Sequence, residues 1–239
     1  MTSERRLAAG PPWLLRRDVR AQLARLHYLE FNFDPDGLPA IARDAWHVDD
    51  YCRPLPPEPP GEPVHGGSFE TAKLLLCNYE FADPTRIRAY YRGAEPLEDR
   101  DMLLEIRYHG LRVRVGVRIG VVFDEVRTFG VRSARVWGWA YRTLEGHLER
   151  GQMDYQVWKW LDTGEVEYRI HAVSQVAEIR NPLLNFGFRL VGRREQQQFA
   201  RRCGERMERL VSSRLSGGHA VPTRVGATGI LASPTSGAA

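Results

Sequence analysis

Lysine is almost missing from this chain: Lys73 and Lys159 are the only two, and every other basic side chain is arginine. With abundant alanine, glycine and proline, that bias suits a GC-rich bacterial genome. Cysteine is scarce as well. Cys52, Cys77 and Cys203 are odd in number, widely spaced and form no CxxC, which excludes a cysteine-based zinc site and suits a reducing cytoplasm. No apolar run approaches the length of a membrane span, so no transmembrane helix is expected. Met1 to Gly10 has no apolar segment of signal-peptide length, so export is not expected either. A glycine-rich phosphate loop, HExxH and an EF-hand pattern are absent, and Ser174 stands in no GxSxG setting. No cofactor or metal is implied, and 239 residues suit a single generous core.

What is there is organised around a long final helix. Asn181-Pro182 is a helix start, with a side-chain cap followed by a residue that needs no amide partner. Leu184, Phe188, Val191, Phe199, Cys203, Met207 and Leu210 then recur on one helical face, and Ser216-Gly217-Gly218 stops the run. Eight arginines against Glu195, Glu205 and Glu208 give this helix more positive charge than the chain's net +4. A solvated outer face accounts for that charge, and nucleic acid is not the expected partner.

Ahead of it, residues 12–29 carry an amphipathic helical pattern, and 53–63 hold six prolines, which reads as an extended connector. Ser68 opens a helix with Phe69, Ala72, Leu75, Leu76 and Tyr79 on one face. From Met102 the period becomes two. Leu111, Val113, Val115, Val117, Ile119, Val121 and Phe123 alternate against Arg112, Arg114 and Arg118, so the odd positions should face the helix and the arginines the other side. Three more strands follow, over 136–144, 153–161 and 166–172. Helices, then antiparallel strands, then one long helix make an α+β chain rather than a βαβ one. Residues 216–239 have too little apolar content to fold by themselves.

Chemistry concentrates in Gly138 to Gly151 and the aromatics around it. Trp139, Tyr141 and Trp158 are candidate walls of a ligand pocket. His147 and Glu149 share parity and are candidate polar groups near its mouth, either as an acid–base pair or as a structural one. Nothing supplies a nucleophile or a third metal ligand. Glu195 falls in the apolar stripe of the long helix, either wet where the helix bends or aimed into a cavity.

The segment Gly138-Trp-Ala-Tyr-Arg-Thr-Leu-Glu-Gly-His-Leu-Glu-Arg-Gly151, the strand end Ala172-Val-Ser174 and the Arg-rich final helix resemble the family known as domain of unknown function nineteen-ninety. Tyr141, Thr143, Leu144, Gly146, His147, Glu149, Gly151 and Ser174 match its pattern, whereas Arg142 and Glu145 replace a small residue and a proline. The matching residues run from about 68 to 213. The resemblance implies the helix-grip superfamily of START domains and birch-pollen allergens, with a cavity for a hydrophobic ligand between sheet and helix. It implies no reaction.

The expectation is therefore a helix-grip fold: a bent antiparallel sheet wrapped around the C-terminal helix, with N-terminal helices. Its parts would be an extension over 1–52, a connector over 53–66, the grip over 67–215 and a disordered tail over 216–239. Three functions remain open. The first is binding of a small hydrophobic or amphipathic ligand. The second is a cyclase- or hydratase-type enzyme using Tyr141, His147 and Glu149. The third is an interaction module whose grip is filled by its own side chains.

Overall fold

The structure, a computed structural model, describes residues 18–38, 46–108, 111–177, 182–218, 223–225 and 229–235, with the backbone alone at 108, 111, 182–196 and 223–225. Its centre is one antiparallel sheet. The strands are β1 (His47–Leu55), β2 (Ile87–Arg92), β3 (Asp101–Tyr108), β4 (Leu111–Phe129), β5 (Arg132–Thr143), β6 (Glu149–Trp160), β7 (Val166–Val176), β8 (Thr223–Val225) and β9 (Ile230–Ser233). They are ordered β1-β7-β6-β5-β4-β3-β2-β9-β8. From β2 to β7 every neighbour in sequence is a neighbour in space, as a chain of hairpins requires. Helices α1 (Val19–Leu26), α2 (Ser68–Cys77) and α3 (Pro182–Leu215) complete the α+β helix-grip fold that the sequence leads one to expect.

The inner face of the sheet packs on α2 and α3. Phe69, Ala72, Leu75 and Leu76 of α2 are buried, as are Ala200, Cys203, Met207 and Val211 of α3, at the spacing of one helical stripe. Helix α3 ends where Gly217 takes φ +94°, with Gly218 N–H donating to Ser213 O. Its ends thus fall where Asn181-Pro182 and Ser216-Gly217 place them.

Alternation on β4 holds only in part. Val115, Val117 and Ile119 are buried against the inner core, and Arg114 and Arg118 lie on the other face, paired with Glu105 and Asp101. Between Ile119 and Val121 the register with β5 shifts by one residue. An extra residue swaps the two faces of everything downstream. Val121 is therefore exposed, Val122 packs on the inner core, and Phe123 joins Ala134, Val136 and Trp158 on the outer face. The expectation that the odd positions face inward as far as Phe123 is corrected at this bulge.

The domain limits need correction too. β1 pairs with β7 from His47↔Ser174 to Leu55↔Val166, so part of the expected extension and the start of the expected connector are sheet. Pro54 is tolerated because β1 is the sheet's edge, where one side of the backbone needs no partner. The rest of the proline segment is pinned by a buried ion pair: Lys159 Nζ donates to Glu58 Oε2 at 2.7 Å, and Glu58 accepts the N–H groups of Val64 and Phe69. Burial pushes against the charged carboxylate, yet the hydrogen bonds from Lys159, Phe69 and Val64 together hold the Glu58 pKa below its ordinary value. Helix α1 is capped by Asp18 and covers the outer face, where Leu23 and Leu26 meet Tyr90, Leu103 and Leu144. At the far edge, β9 pairs with β2 and buries Ile230 and Ala232 in the same outer cluster, so residues 230–233 are not a disordered tail.

Candidate functional site

The segment that carries the family resemblance builds the β5–β6 connection. Thr143 Oγ1 accepts from Gly151 N–H at 2.9 Å and donates to Asn32 Oδ1 at 2.6 Å, while Asn32 Nδ2 donates to Glu149 O at 2.9 Å. Gly146 turns at φ +82°. His147 Nδ1 lies 3.0 Å from both the N–H and the carbonyl oxygen of Glu149, so either tautomer ties the ring to this turn. The His147–Glu149 pair is thus made through the main chain of Glu149. Tyr141 points elsewhere: its hydroxyl lies 3.5 Å from that of Tyr155 and 3.7 Å from Met153 Sδ. Burial raises the Tyr141 pKa well above its ordinary value, with the Glu149 carboxylate adding to the rise. The structure therefore ties His147 to its own turn and sets the Tyr141 hydroxyl against Tyr155 and Met153.

Burial pushes the His147 pKa from 6.5 down to about 4, against a hydrogen bond to the Glu149 backbone that raises it. As pH falls from the ordinary value towards 4, the unfolded chain takes up this proton before the folded one does. The contribution of His147 to stability is intact above the ordinary value and is lost below it. Thermal melts across that window should therefore fall less steeply for His147→Gln than for the wild type. Equal slopes would place the acid sensitivity elsewhere.

Inside the grip the aromatics form one cluster. The Trp139–Tyr155, Phe81–Tyr155, Phe81–Tyr168 and Tyr79–Phe81 ring centroids are 4.9, 4.5, 5.8 and 4.8 Å apart. Each ring is 0–1 % exposed. Burial raises the pKa of Tyr79, Tyr155 and Tyr168 far above the ordinary value, so these hydroxyls keep their protons at neutral pH. Trp139 Nε1 and Tyr168 Oη, both buried, have no hydrogen-bond partner among the described residues.

Of the residues singled out from sequence, the structure brings Trp139 and Tyr141 together on the inner face, with ring centroids 6.2 Å apart. It separates Trp158 from them, because residue 158 has the opposite parity to Tyr155 on β6 and packs in the outer cluster. The Glu195 side chain lies outside the described residues. Tyr168 and Phe81 went unnoticed in the sequence, although Tyr168 alternates inward with Val166 and Ile170 and was legible in principle.

The sequence reading also passed over the outer face. A groove of about 520 Å³ opens there across β1, β7, β6 and β4, lined by Trp158, Phe123, Arg127, Arg169, Asp154 and His171, among others. Among the described residues no group of three or more His, Cys, Asp or Glu side chains could hold a metal, and no helix is long and apolar enough to cross a membrane.

The family model described as "Domain of unknown function (DUF1990)" matches residues 34–206, starting well before the expected boundary at 67. Among solved structures, the chain is similar to the crystal structure of Ara h 8.0201, with 8% identity and a TM-score of 0.43 over 70% of this chain and 99% of that one. No curated protein matches.

Proposed function

Because the chain belongs to the DUF1990 family, whose description assigns no activity, we propose a function from its geometry: it binds a small, neutral, amphipathic molecule in the grip between sheet and α3. The observation that carries this reading is the set of unpartnered polar atoms inside one aromatic core, Trp139 Nε1, Tyr168 Oη and Tyr79 Oη. Buried polar groups are almost always satisfied, and a buried one without a partner commonly marks the place of an absent water or ligand. An indole N–H can only donate, and a protonated phenol buried among aromatics is available to do the same. The ligand end that suits them is therefore an acceptor such as a carbonyl or ether oxygen. The three free thiols suit a reducing, cytoplasmic setting for such a protein.

Native mass spectrometry of the purified protein together with Tyr168→Phe tests this. Removing an unsatisfied hydroxyl should raise the stability of the empty protein by about 1 kcal/mol. The same change should strip a co-purifying molecule from the grip. A destabilised variant, or unchanged ligand occupancy, overturns the reading. The close packing of the rings favours a second reading, an interaction module with a filled core; wild-type protein that never carries a small molecule would support it.

A further inference from the structure

We infer that the outer face of the sheet carries a second binding site, separate from the grip: a groove for a planar aromatic ring with an anionic group at one end and an N–H donor at the other. Its volume of about 520 Å³ lies in the range of small-molecule sites. One end is basic and aromatic. The Arg169 guanidinium lies 4.0 Å from the Trp158 ring centroid and that of Arg127 lies 5.3 Å from it. Trp158 is itself fixed by its Nε1 donating to Gln156 Oε1 at 2.7 Å. Glu167 takes the Nε donor of Arg169 and Glu125 that of Arg127, each at 2.7 Å, which sets the plane of each guanidinium. Each has five N–H donors, so some remain for an anion, and a guanidinium stacked on an indole offers its second flat face to another ring.

The other end is acidic. Asp50, His171 and Asp154 are successive cross-strand partners on β1, β7 and β6. Asp50 Oδ1 and His171 Nδ1 are 2.8 Å apart, so that carboxylate is occupied by the imidazole. Asp154 accepts one hydrogen bond, from Gln152 Nε2 at 2.8 Å. Burial raises the pKa of Asp154, against smaller lowering effects from Gln152, His171, Arg127 and Arg142. A ligand N–H would add a charge-stabilising partner to this half-buried carboxylate.

The two ends also have the right separation. The guanidiniums stack on Trp158, which stands four residues from Asp154 on one face of β6, about 13 Å at the rise of a strand. A para-substituted benzene ring with a hydrogen bond at each end spans about 12 Å. Neither end was visible in the sequence as a site, because Trp158 and Phe123 reach this face by parity and by the β4 bulge.

The test is a titration of the full chain with 4-aminobenzoate, followed by the indole N–H resonance of Trp158, which Trp158→Phe identifies by its loss. A saturable shift is expected. Benzoate, which lacks the donor, and 4-aminobenzamide, which lacks the anion, should each bind about tenfold more weakly. Arg169→Gln should weaken 4-aminobenzoate by about tenfold, and Arg169→Lys, which keeps the charge but not the flat fork, should weaken it as well. Asp154→Asn should erase the preference over benzoate. Tyr168→Phe should leave the titration unchanged, which separates this groove from the grip. No saturable shift up to about 10 mM, or wild-type affinity in both Arg169 variants, overturns the inference.

Discussion

Ending the chain at Leu215 should lower its stability by about 3–5 kcal/mol, as expected from losing three hydrogen bonds to a carboxylate at about 1.5 kcal/mol each. The residues beyond Leu215 close the β2 edge of the sheet and complete the surroundings of Glu80, which is 0% exposed. Glu80 Oε1 accepts from Ser233 Oγ at 2.6 Å and from Thr235 Oγ1 at 2.9 Å, and Oε2 accepts from Thr235 N–H at 3.0 Å. Arg206 of α3 lies 3.8 Å from the same carboxylate and donates through Nε to the Glu80 backbone oxygen at 2.8 Å. Truncation removes three of these hydrogen bonds at once and uncovers Tyr90 and Leu103. For a chain of this size the melting midpoint should fall by about 10 °C. Glu80→Gln in the full chain separates the two contributions: it keeps strand β9 and its apolar contacts but weakens the carboxylate's hydrogen bonds. A truncated protein that melts with the wild type would show that β9 contributes nothing to the fold.

Gly151→Ala should fail to reach the native fold. At Gly151, φ is +149°, and a Cβ there would stand 2.0 Å from the Val173 backbone oxygen. That atom belongs to the β6–β7 ladder, so relief means breaking the pairing of Gly151 with Ser174. The expected cost exceeds about 4 kcal/mol, in the range where single changes abolish folding. Soluble yield and amide hydrogen–deuterium exchange along β6 and β7 would report it. A Gly151→Ala protein with wild-type exchange would refute the close approach. The contrast is Gly130, where no atom lies within 4 Å of an added Cβ and only the φ of +62° opposes the change. Gly130→Ala should therefore cost much less.

Read together with Thr143 and His147, Gly151 explains why the most recognisable stretch of the chain identifies a family without naming a reaction. Its residues satisfy one another and the Glu30–Asn32 segment, with Glu145 N–H donating to Glu30 O. They form a connection between two strands, in which His147 is held by the main chain of Glu149 while the Tyr141 hydroxyl lies in the core against Tyr155.

The sequence by itself determined whatever depends on neighbours along the chain. The ends of α3 follow from Pro182 and from the glycines after Ser216, since a cap is a matter of a few consecutive residues. The inward face of β4 as far as Ile119 follows from alternation alone, and the inward stripe of α2 from helical spacing. What only the tertiary structure decided rests on partners distant in sequence. One extra residue at Gly120 turns Phe123 to the outer face, and nothing in the alternating pattern marks where pairing slips. β1 and β9 read as extension, connector and tail because β1 lies in Asp- and Pro-rich sequence and β9 is four residues long among glycine, serine and proline, and each becomes a strand only against an edge that other residues build, β7 for one and β2 for the other. Trp158 and Trp139 look alike in sequence. They lie on opposite sides of the sheet because position 158 pairs with Val136 while position 139 pairs with Tyr155, a registration set by the whole hairpin.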